Sequence, residues 1–240
     1  MFDLTADEFR SRLMALQAVD KPPEGNLAVK RDPFNAVKMG DIFRLGKEFS
    51  GMLVGEIEKL MESPVHKLRV GALSIMGQCA KGRNCTPSRL AELFDLYIRR
   101  HDRINTWDLV DLAAYYVVGG YLADKSRKPL YKLARSKDMW ERRSSIVATA
   151  HFILKMKEVD DTFAIAEILV NDKEESVNKG TGWMLRTAGD VDRKRLLLFL
   201  DKHASSMPRV SLRYSIEKLS KAERDHYMKI KKDSRPGGNI

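Results

Sequence analysis

Long apolar runs are scarce in this sequence. The longest uncharged and mainly apolar stretch, residues 112–123, is about half of the roughly 20 residues that a membrane-spanning helix needs. The opening MFDLTADEFRSRL is charged and amphipathic, with no basic segment followed by an apolar one, so no secretory signal is expected. Both absences point to a soluble, cytoplasmic protein with no membrane contact. Cysteine is also rare. The spacing of Cys79 and Cys85 in GQCAKGRNCT fits neither a CxxC redox pair nor a four-ligand zinc site, and both are expected to be reduced thiols. The five histidines, at positions 66, 101, 151, 203 and 226, show no ligand spacing, so neither a metal nor another cofactor is expected. GxSxG, GxxxxGK[ST] and HExxH are missing, which removes the usual signatures of α/β-hydrolases, P-loop NTPases and zinc peptidases. No strand-like alternation of apolar and polar residues is evident.

Basic charge is present in excess, and its placement matters more than its size. The net charge is +10. Residues 1–124 hold 17 basic and 17 acidic side chains, whereas residues 125–240 hold 26 and 16. The whole excess therefore lies in the second half, as expected for a polyanion-binding face built mainly from C-terminal elements. The plainer alternative is a solvated surface that happens to be basic.

Helical periodicity dominates what remains. Leu60, Val65, Leu68, Ala72, Ile75 and Met76 approximate an i, i+3, i+4, i+7 stripe, as do Leu90, Leu93, Phe94, Tyr97 and Ile98, and later Ile146, Val147, Ala150, Ile153 and Leu154. Polar breaks recur between them, several offering an N-cap: Ser63 with Pro64 at the first helical position, and Thr86 before Pro87. Helix pairs then repeat every 35 to 45 residues or so, the range of HEAT and armadillo repeats. The economical architecture is all-α: a HEAT-like helical-repeat solenoid in a single domain, residues 1–232, whose stacked pairs curve into a concave surface. DKPPEGNLAVKRDP, residues 20–33, reads as a loop or linker, and DSRPGGNI, residues 233–240, as a disordered tail.

Three local oddities stand out. In NTWDLVD, residues 105–111, Trp107 and Asp111 are i and i+4 and share one helix face. Asp108 complements the helix dipole from the first turn, but Asp111 sits on a stripe that continues through Ala114, Tyr115 and Val118. An acid there is either a structural carboxylate, paired with an arginine or capping a neighbouring helix, or a functional one. In KGTGWMLR, residues 179–186, Trp183 follows Gly180 and Gly182, whose missing side chains permit close approach by another chain or a ligand. In WERRSSIVATA, Arg143 precedes Ile146 and Val147 by three and four positions and so leans toward the apolar face.

These three segments, in this order, resemble the DNA alkylation repair glycosylases of the AlkD type. WDLVD is similar to that family's W-D-x-V-D motif, ERRSSI to the stretch with its phosphate-contacting arginine, and NKGTGWMLR to its Q/N-K-x-x-G-W-x-L-R motif. SPVHKLRVGAL, residues 63–73, is similar to its early helix-pair sequence. The likeness runs from about residue 35 to about residue 225. AVKMGDIFRLGK departs from the pattern, with Gly40 and Phe43 where the family has proline and arginine.

The resemblance implies a HEAT-like solenoid that cradles duplex DNA in a concave surface. It implies a monomeric, monofunctional glycosylase acting on positively charged N-alkylated purines, 7-alkylguanine and 3-alkyladenine, without base flipping. By it, Asp111, Trp107 and Trp183 match the catalytic trio and Arg143 the DNA-backbone arginine. Arg142, Lys179 and Arg186 are further candidates for backbone contact. The alternative is a non-catalytic HEAT-repeat protein that binds damaged or branched DNA; retention of the trio argues against it. A protein scaffold of helical repeats would leave the C-terminal basicity unexplained.

Overall fold

The computed structural model describes residues 3–19 and 37–230, and among these all regular structure is helical. The all-α expectation therefore holds; the loop at 20–33 and the tail at 233–240 fall outside the described residues. Contacts gather into two compact units, Met1–Asp124 and Lys125–Ile240. This is the boundary at which the sequence changes from charge-balanced to basic.

The first unit comprises α1 (Ala6–Val19), α2 (Met39–Glu48), α3 (Val54–Met61), α4 (His66–Lys81), α5 (Pro87–Arg99) and α6 (Trp107–Ala113). α6 continues into a π-helical turn, Ala114–Gly119. α4 is its central element and packs against α2, α3 and α6. Its apolar stripe explains this: Leu68, Ala72, Ile75 and Met76 are all buried. Across the core, the Phe9 and Phe49 rings meet edge to face with centroids 5.2 Å apart, an orientation the ring quadrupoles favour.

The second unit comprises α7 (Lys128–Ala134), α8 (Met139–Ala148), a π-helical turn (Phe152–Met156), α9 (Asp160–Leu169), α10 (Glu175–Gly189), α11 (Arg193–His203), α12 (Arg209–Ile216) and α13 (Lys221–Lys229). Here α10 is central and packs against α8, α9, α11 and α12. In both units a helix packs on the next but one, as stacked helix pairs require.

Local sequence explains most boundaries. Thr86 caps α5 by accepting from Arg89 N at 3.1 Å, with Pro87 at the first position. Ser63 departs from expectation. α4 begins at His66, and Ser63 Oγ accepts from Val65 N at 3.1 Å in the preceding turn. The carbonyls of Ser63 and Pro64 are drawn instead to the Arg69 guanidinium, at 2.8 and 3.1 Å. The stripe ending at Leu154 also departs, for Leu154 is 48% exposed. It lies in the π turn after α8, whose wider i→i+5 geometry shifts the helical phase.

Candidate active site

The acidic centre is built on the first turn of α6. Thr106 occupies the N-cap position, yet its hydroxyl does not cap the helix. It donates to Asp108 Oδ1 at 2.5 Å, while Asp108 Oδ2 accepts from His66 Nε2 at 2.8 Å. A carboxylate partner requires that this imidazole nitrogen carry the proton. Burial pushes the Asp108 carboxyl up, but hydrogen bonds from His66 and Thr106 outweigh it and hold the group below the ordinary carboxylate value. Arg69, one turn along α4, reaches Asn105 Oδ1 at 3.4 Å.

Trp107 projects from this fastened segment and is 60% exposed. Asp111, one turn later on the same face, is partly buried. The rest of the segment lies along α4. Gly77 sits so close to the Leu112 carbonyl that a side chain there would overlap it, and Lys81 Nζ lies 5.7 Å from the centre of the Tyr116 ring. Contacts at residues 66, 77 and 81 of α4 thus meet 108, 112 and 116 in the same order.

The second unit supplies the other candidate residues. Asp138 caps α8, accepting from Trp140 N and Glu141 N at 2.6 and 3.2 Å. This sets the phase that turns Arg142 and Arg143 toward neighbouring elements. Arg142 is paired with Asp172 at 2.6 Å and also donates to the carbonyls of Ser136 and Lys137. Asp172 in turn accepts from Glu174 N just before α10. Arg143 is 5% exposed and donates to the Ser176 carbonyl at 2.5 Å. The inward lean read from its sequence register is therefore observed, and one of its partners lies at the start of α10.

The glycines of KGTGW separate into two roles. A Cβ on Gly180 would lie 3.4 Å from Arg143 Nη1, an ordinary contact, so this position packs beside the guanidinium with space for a methyl group. A Cβ on Gly182 would lie 2.5 Å from the Ser211 carbonyl oxygen and 2.6 Å from Tyr214 Cβ, so this position lets α12 approach. Trp183, between these contacts and the helix end, is partly exposed. Lys179 keeps 44% of its side chain exposed and pairs with Glu175 at 2.7 Å. Arg186 pairs with Glu217.

Of the residues singled out from the sequence, Trp107 and Asp111 stand together in the first unit. Arg143, Lys179 and Trp183 lie on the packed helices α8 and α10 of the second. Sequence reasoning passed over His66 and Arg69. The pair His66–Asp108 spans 42 residues, a separation that no local pattern encodes. Among the described residues no group of three or more His, Cys, Asp or Glu side chains is placed to hold a metal ion, and no helix is long and apolar enough to cross a membrane.

A solved structure described as a predicted DNA alkylation repair enzyme from Enterococcus faecalis is similar in fold. Its TM-score is 0.53 at 18% identity, covering 90% of this chain and 97% of that one. No curated protein matches the chain. The sequence profile of the DNA alkylation repair enzymes matches residues 10–219. That match takes in α6 with its tryptophan and acid, the buried arginine of α8 and the glycine–tryptophan segment of α10, and the chain belongs to the DNA alkylation repair enzyme family.

Proposed function

We propose that the protein is a monofunctional DNA glycosylase that hydrolyses the N-glycosidic bond of cationic N-alkylated purines in duplex DNA. The observation that carries this reading is the pairing on α6 of a 60% exposed indole with a partly buried carboxylate on one face. A tryptophan usually buries its large surface, so this exposure leaves a face for a ligand.

The chemistry suits a site with one acid. A purine alkylated at N7 or N3 carries a positive charge, so it leaves when the C1′–N bond breaks and the bonding electrons return to its ring. No proton donor is needed. The sugar becomes oxocarbenium-like, and the Asp111 carboxylate stabilises that charge and orients water for attack at C1′. The water proton passes to the carboxylate or to solvent, leaving an abasic site. Trp107 contributes cation–π contact of about 0.5 to 2 kcal/mol, and Trp183 is a second aromatic surface for DNA. No enclosing base pocket is invoked, and the target nucleotide remains in the duplex.

Lys179, with the most exposed side chain of the candidate cations, is the first choice for direct phosphate contact, and Arg186 the second. Arg142 and Arg143, whose guanidinium groups are held inside, shape the surface formed by α8 and α10. The net charge of +10 in the second unit supports a polyanionic partner.

Release of free 7-methylguanine and 3-methyladenine from methylated duplex DNA tests the reading. The wild type is expected to release both, and Asp111→Asn to slow release by about 100-fold or more. A wild type that binds DNA and releases no base would instead support the non-catalytic alternative.

A further inference from the structure

The roles given to Trp107 and Asp111 leave open what aims them. Trp107 is 60% exposed, so packing covers less than half of it and the backbone that sets its Cα–Cβ direction carries more of its placement than for a core tryptophan. That backbone is fastened on both sides. Before it, Asn105 Oδ1 accepts from Arg69, whose other amine is anchored on the Ser63 and Pro64 carbonyls. After it, the Asp108 carboxylate accepts from His66 with one oxygen and from Thr106 with the other.

The Thr106 hydroxyl is the telling detail. At an N-cap it would ordinarily accept from an amide of the first helical turn. Here it donates to Asp108. Asp108 also accepts from the Leu109 amide. The carboxylate thus joins three parts of the chain: the residue before Trp107, the amide two positions after it, and the start of α4. The side chain of Asp108 is only 18% exposed and that of His66 36%, so water competes less for this bond than for a fully exposed pair.

We propose that His66 is a positioning residue for base excision. Through Asp108 and Thr106 it fixes the first turn of α6, and with it the direction of the Trp107 ring and the placement of Asp111 one turn on. Neither His66 nor Asp108 need touch the substrate. The inference rests on the reading of α6 as the catalytic helix. A role limited to stabilising α6 would lower the unfolding midpoint and leave the rate of the folded enzyme unchanged.

Single-turnover release of 7-methylguanine separates these cases, with full-length enzyme in excess and at a temperature where circular dichroism shows every variant folded. His66→Ala is expected to lower the rate constant about tenfold, as a sub-ångström misplacement of reacting groups does. Its affinity for undamaged duplex, measured by anisotropy, should stay within about twofold of wild type. His66→Gln should restore most of the rate, because its amide nitrogen reaches the same carboxylate oxygen. His66→Ala combined with Asp108→Ala should be no slower than Asp108→Ala alone, since both remove one constraint. An unchanged rate in folded His66→Ala, failure of Gln to restore it, or additive losses would each overturn the proposal while leaving the glycosylase reading intact. A wild type that releases no base would sink that reading, and this inference with it.

Discussion

Gly77 offers the sharpest test of how α4 supports the acid on α6. A methyl group added there would overlap the Leu112 carbonyl oxygen and stand 3.4 Å from its carbon. Restoring a carbon–oxygen contact of roughly 3.3 Å requires the two backbones to part by about 1 Å. Overpacking of this kind costs about 1 to 3 kcal/mol, offset by about 1 kcal/mol from removing a glycine inside a helix. Gly77→Ala should therefore lose up to about 2 kcal/mol in urea unfolding. The effect on excision should be larger in proportion. Leu112 directly follows Asp111, and a shift of that size in a reacting group costs up to about 100-fold in rate.

Gly71 on the same helix is the control. Its added methyl would lie 2.5 Å from two ring atoms of Phe9, in the part of the core formed with α1. Gly71→Ala should lose comparable stability and keep near wild-type excision while folded. If Gly77→Ala retains its rate, or if Gly71→Ala loses as much, then α4 does not set the position of Asp111.

Two further outcomes follow from particular contacts. The glycines of KGTGW should respond with opposite signs: Gly182→Ala, driven against the Ser211 carbonyl and Tyr214, should lose about 2 kcal/mol, whereas Gly180→Ala, whose methyl meets nothing nearer than 3.4 Å, should gain up to about 1 kcal/mol of helix propensity. Equal urea midpoints for the two would refute the assignment of Gly182 to the packing of α10 on α12. Glu58 accepts from Arg99 at 2.6 and 2.9 Å and from Arg100 at 2.8 Å, and these bonds, opposed by burial, hold it at about 2 against an ordinary 4.5. Because the folded value is the lower, its contribution is complete above pH 4.5 and is lost as the pH falls toward 2. The stability difference between wild type and Glu58→Gln should shrink across that window, and a difference independent of pH would refute the pairing.

Much of this architecture is legible from side-chain spacing, because burial acts on every turn of a helix. Leu93 and Tyr97 are i and i+4 and both are fully buried; Thr86 before Pro87 marks a helix start that the backbone obeys. The inward lean of Arg143 could be read for the same reason, since register against Ile146 and Val147 fixes its direction whatever its partner is. The partner could not be read. Ser176 lies 33 residues away, and whether its carbonyl meets the guanidinium depends on how closely α10 approaches α8. The glycines show the same limit. Their sequence says that something comes close, and only the packing says that at Gly182 it is another helix.

The π turns mark the deeper reason that the site resists a periodic reading. A regular helix beginning at Trp107 would carry the face of Trp107 and Asp111 along its whole length, so an exposed indole at one end would imply an exposed stripe at the other. The chain does not permit that, because Val117 and Val118 are fully buried and Leu122 nearly so. Inserting the π turn Ala114–Gly119 directly after α6 changes the phase between these demands. The two turns of α6 can then present an aromatic ring and an acid while the residues after the π turn supply core. A second π turn, Phe152–Met156, follows shortly after α8, and there the phase change carries Leu154 out of the buried stripe that Ile146 and Val147 begin. An inserted residue of this kind leaves composition and polarity almost unchanged, which is why stripes extrapolated at 3.6 residues per turn fail at Leu154 and succeed a few residues earlier.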